Sequence, residues 1–60
     1  MIKIGDTVMG IFDNGRYNRT GTIIKVKGEA VDIKWLNGAV SYVMEEDLYA
    51  KDGELKFYLG

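Results

Sequence analysis

Sixty residues carrying eight Lys/Arg and nine Asp/Glu, net charge −1, make one small domain (residues 1–60) with no overall attraction to a polyanion, so nucleic-acid binding requires a local basic patch. With neither cysteine nor histidine, the chain has no disulfide staple, no Cys/His zinc site, and neither the commonest general base nor the strongest nucleophile. It has no long apolar run and no basic-then-apolar N-terminal segment, so the expectation is a cytoplasmic protein without a membrane span.

Ile2 and Ile4 precede a Gly5-Asp6 turn, and the apolar run that follows, broken by Gly10, predicts a strand over 7–12. Asp13-Asn14-Gly15 tolerates left-handed backbone and marks a tight turn, which the polar stretch Arg16-Tyr17-Asn18-Arg19-Thr20 extends into a loop. Alternation over 21–27 puts Ile24 and Val26 on one face, with Ile23, Lys25 and Lys27 on the other. Gly28-Glu29 then turns the chain into a strand over 30–36, where Val31, Ile33 and Trp35 oppose Asp32 and Lys34. Asn37-Gly38 is a strong hairpin dipeptide, and it leads into a strand over 39–44. That strand is apolar on both faces, Val40, Tyr42 and Met44 against Ala39, Ser41 and Val43, so one row must meet water in a lone barrel. Glu45-Glu46-Asp47-Leu48 reads as a short 3₁₀ turn, and Asp52-Gly53 leads into a last strand over 54–59 with Leu55, Phe57 and Leu59 alternating. The expected core is Val8, Ile24, Val26, Val31, Ile33, Val43 and Leu48.

These short strands and glycine turns describe an all-β, five-stranded barrel. The order Gly5-Asp6-Thr7-Val8, Gly21-Thr22-Ile23, Val31-Asp32-Ile33-Lys34-Trp35, Asn37-Gly38 and Asp47-Leu48 resembles the Tudor-type SH3-like barrels, which are mostly binding modules. In the members that bind methylated lysine or arginine, aromatics ending the first and third strands help to cage the cation. The resemblance puts Phe12 and Trp35 at those positions, with Arg19, Leu36, Asn37 and Ser41 where the family carries aromatic or acidic residues. A weaker similarity to KOW domains implies contact with RNA, ribosomes or RNA polymerase. A second weak similarity, to the tetrameric type II plasmid dihydrofolate reductases, aligns their pore strand with Val40-Ser41-Tyr42-Val43. There Ser41 and Val43 replace the residues that touch cofactor and substrate.

The expected function is therefore binding without catalysis, cofactor or metal. The partner expected is a protein segment, engaged by Phe12, Tyr17, Trp35 and Tyr42 with Arg16, Arg19 and Asn37 as polar anchors, since aromatic and arginine residues dominate interface energetics. Size and lack of catalytic chemistry fit a small regulator of a larger host or phage enzyme. The nucleic-acid alternative rests on Arg16, Arg19, Lys25, Lys27 and Lys34 interleaved with Tyr17. The doubly apolar strand 39–44 also predicts self-association through this strand or the C-terminal segment, most simply as a two-fold dimer, unless that segment folds across the strand and covers it.

Overall fold

A computed structural model describes residues 2–51 and 54–59, and among these the chain is all β. Strands β1 (Thr7–Phe12), β2 (Tyr17–Lys27), β3 (Ala30–Trp35), β4 (Val40–Met44), β5 (Leu48–Lys51) and β6 (Glu54–Leu59) form one sheet in the order β4-β3-β2-β1-β6-β5. The sheet curls around its core as a half-barrel, with β4 and β5 as its two edges. The expected 3₁₀ turn is present as Glu45–Asp47. The Asp52-Gly53 turn and the side chain of Leu59 lie outside the described residues.

Six strands stand where five were expected. The added one is Leu48–Lys51, which pairs antiparallel with β6 from Leu48↔Phe57 to Lys51↔Glu54. On its other side β6 runs parallel to β1, from Val8↔Leu55 to Phe12↔Leu59, so its backbone groups are paired on both flanks.

β2 begins at Tyr17, four residues before the strand start expected at Gly21. Asp13 (φ 52°), Asn14 (φ 54°) and Gly15 (φ 92°) take left-handed backbone and close the turn, with Gly15 N–H donating to Phe12 O and Arg16 N–H to Asp13 O, both at 3.1 Å. The polar run Tyr17–Thr20 then extends, because Met9 to Phe12 of β1 would otherwise lack antiparallel partners on that side. β3 ends at Trp35 and β4 starts at Val40, each one residue inside its expected bound.

The core is Val8, Ile23, Val31, Ile33, Trp35 and Val43, with Ile2, Phe12, Leu48, Leu55 and Phe57 packed against it. Ile24 and Val26, expected inside, are 43% and 39% exposed, whereas Ile23 is fully buried. The cause is a β-bulge. Ile23 opposes Ile33 and Lys25 opposes Asp32, leaving Ile24 as the extra residue. Strict alternation would carry Lys25 and Lys27 inward with Ile23; the bulge switches phase, so Ile23 stays in the core and the lysines reach water. Val26 does oppose Val31, but β2 here runs past β1, whose ladder begins at Thr7↔Thr22, and so one flank of Val26 is bare. Leu48 is half-buried at the margin of the core.

Candidate functional site

The inner face of the sheet continues beyond the core toward the β1–β2 turn. Val8, Gly10 and Phe12 oppose Gly21, Arg19 and Tyr17, so Arg19 and Tyr17 share the face on which Trp35 lies. Two glycines make room for that indole. A Cβ on Gly10 would stand 2.7 Å from Trp35 Cη2 and from Phe12 Cε2, and one on Gly21 would stand 2.6 Å from Trp35 Cε3 and Ile33 Cγ2. Phe12 meets Trp35 edge-to-face, centroids 5.5 Å apart at 75°, and Phe57 lies against Phe12 in the same manner at 6.5 Å.

Trp35 is 5% exposed, which places it in the core and off the binding surface on which the sequence put it. Its Nε1–H donates to Ser41 Oγ at 2.8 Å, so the serine found where the Tudor resemblance implies an aromatic is the hydrogen-bond partner of the buried indole. Phe12 packs on Trp35 directly, and the indole, 5% exposed, offers little ring face to a cation from solvent.

The other expected residues divide. Arg19 and Asn37 line one shallow hollow together with Asn18, Thr20 and Leu36, where Leu36 N–H donates to Thr20 O at 3.2 Å. Leu36, in the β3–β4 turn, is 86% exposed, and Tyr17, two residues along β2 from Arg19, is 59% exposed. Arg16 sits in the adjoining β1–β2 turn. Phe12, Arg16, Tyr17, Arg19 and Asn37 thus gather at one end of the sheet. Tyr42 does not join them, because it opposes Asp32 on the outer face of β4. Leu36 carries little sequence signal beyond being an apolar residue directly before Asn37-Gly38.

The basic residues are likewise split. Lys34 opposes Thr22, Lys25 opposes Asp32 and Lys27 opposes Ala30 on the outer face, while Arg19 belongs to the inner face and Arg16 to the turn. Asp32 stands within the lysine group, directly across from Lys25, an opposite-charge placement that favours cross-strand pairing over a uniform phosphate track. Across the outer face run the rows Thr22/Lys34/Val40, Lys25/Asp32/Tyr42 and Lys27/Ala30/Met44, a lysine column in β2 and β3 ending at an apolar edge in β4. Among the described residues no group of three or more acidic side chains is arranged to hold a metal ion, and no helix is long and apolar enough to cross a membrane.

Comparison of the chain with protein-family models, with curated proteins and with solved structures finds no match.

Proposed function

We propose that the protein is a non-catalytic binding module of the SH3-like, Tudor-type kind that engages a protein segment at the end of the sheet formed by Phe12, Arg16, Tyr17, Arg19, Leu36 and Asn37. The observation that carries this reading is the hollow shared by Arg19 and Asn37, flanked by the exposed Leu36 and by Tyr17 on the strand face of Arg19. An aromatic and an apolar side chain offer area to desolvate, and arginine adds directional donors in a fixed fork. Affinity capture from extract of the source cells, with and without nuclease, tests it. A specific protein should be retained after nuclease and lost with Arg19→Ala and Tyr17→Ala, both variants keeping the buried-Trp35 fluorescence of the parent. Retention indifferent to both substitutions moves the site elsewhere.

The nucleic-acid alternative is supported by the lysine column Lys25, Lys27 and Lys34 beside Tyr42 on the outer face. The same capture separates the two readings, since material bridged by nucleic acid is released by nuclease.

A further inference from the structure

The C-terminal strand β6 lies beside β1 and leaves β4 at the opposite edge of the sheet. Val40, Tyr42 and Met44 therefore remain 54%, 65% and 37% exposed. The β3–β4 register also fixes which backbone groups of this edge are unused. Trp35 N–H donates to Ala39 O at 2.8 Å and Glu45 N–H to Glu29 O at 2.7 Å, bonds that belong to the same ladder as Val31↔Val43 and Ile33↔Ser41. Narrow and wide pairs alternate in an antiparallel ladder, so the odd-numbered residues of β4 face β3. Val40, Tyr42 and Met44 then aim their N–H and C=O groups away from the sheet.

From this register we infer that two copies of the chain pair antiparallel through β4, about a two-fold axis at Tyr42. That axis sets Tyr42 against Tyr42 of the second copy and Val40 against its Met44. Every matched residue is one whose backbone groups point outward, so each pair exchanges two N–H···O bonds. The side chains match as well. The apolar row Val40, Tyr42, Met44 meets its own reversed copy on one face, with the two tyrosines adjacent at the centre. Neither a charge nor a proline lies within Val40–Met44 to blunt the edge, as protected edges usually have.

Charge agrees with this orientation. The acidic turn Glu45–Asp47 of one copy falls beside the uncharged Asn37-Gly38-Ala39 turn of the other, at the end where Lys34 flanks Val40, and the two acidic turns are kept at opposite ends. The area is modest: three side chains per copy withdraw only several hundred Å², against the roughly 1,600 Å² of a standard-size complex. The dimer is accordingly weak and concentration-dependent. This inference is independent of the hollow around Arg19.

Sedimentation equilibrium of the whole chain from micromolar to about 1 mM is the test, joined to three substitutions at the axis. Tyr42→Lys brings two like charges together, and Tyr42→Pro removes the phenol together with a backbone N–H that points away from the sheet. Each should weaken dimerisation at least tenfold with unchanged Trp35 emission. The chain has no cysteine of its own, so Tyr42→Cys should oxidise to a covalent dimer much faster than Tyr49→Cys on the other edge strand. If the proline or lysine variant fails to fold, this crosslinking comparison decides. A monomer throughout overturns the inference and leaves the edge to a strand from another protein; a dimer indifferent to Tyr42→Lys, or crosslinking equally well from position 49, overturns it by placing the interface elsewhere.

Discussion

The indole N–H of Trp35 donates to the hydroxyl of Ser41 across the β3–β4 pair at 2.8 Å. This bond lets a large aromatic with one polar atom enter the core of a very small domain, because a buried donor without an acceptor would cost its full desolvation. It also ties edge strand β4 to the core through a side chain as well as through the backbone ladder.

Ser41→Ala should therefore destabilise the fold by about 1–3 kcal/mol, the cost of stranding a buried donor. Urea unfolding read by fluorescence is a clean measure, since Trp35 is the single tryptophan. No loss of stability would mean that water replaces the hydroxyl.

Gly10→Ala and Gly21→Ala should each cost roughly 1–3 kcal/mol by overpacking. The added methyl meets ring carbons of Trp35 and Phe12 at 2.7 Å in the first case, and Trp35 and Ile33 at 2.6 Å in the second. These rings are fixed by their own packing and have little room to move. Thermal unfolding of the two variants checks this, and unchanged midpoints would show that the indole can shift.

The bulge in β2 predicts opposite outcomes for adjacent residues. Ile23→Ala removes a fully buried branched side chain and should cost about 2–5 kcal/mol. Ile24→Ala alters a side chain 43% exposed and should cost less than about 1 kcal/mol. Comparable costs would put the bulge elsewhere in the strand.

Binding to labelled single-stranded RNA or DNA, followed by anisotropy at low salt, should be weak, because the basic residues lie on two faces with Asp32 among the lysines. Tight, steeply salt-dependent binding lost on neutralising Lys25, Lys27 and Lys34 together would favour the nucleic-acid reading instead.

Much of the architecture is legible in local signals. Asp13-Asn14-Gly15, Gly28-Glu29 and Asn37-Gly38 mark the turns, β1 and β6 fall where their apolar runs predict, and Glu45–Asp47 forms the expected 3₁₀ turn. Val8, Val31, Ile33 and Val43 are in the core as alternation predicts. Of the candidate site, the turn at Asp13-Asn14-Gly15 is legible, but Tyr17 and Arg19 join Phe12 on one face only because β2 extends through the stretch that reads as a loop.

The amino-acid sequence by itself determined an all-β domain, most strand positions and the alternating core, because turn chemistry and side-chain alternation act over a few residues. Only the tertiary structure decided which isoleucine of β2 is buried, since a bulge is a property of two strands in register and leaves no mark in one strand read alone. The same holds for Trp35, whose burial depends on two glycines in neighbouring strands and a hydroxyl six residues away. Tyr42 is separated from the other candidate residues by its place on the outer face of β4, opposite in phase to the buried Val43. Whether the last strand would cover β4 or lie beside β1 is a choice between distant partners. It depends on pairing energies between segments far apart in the chain, which no local pattern encodes.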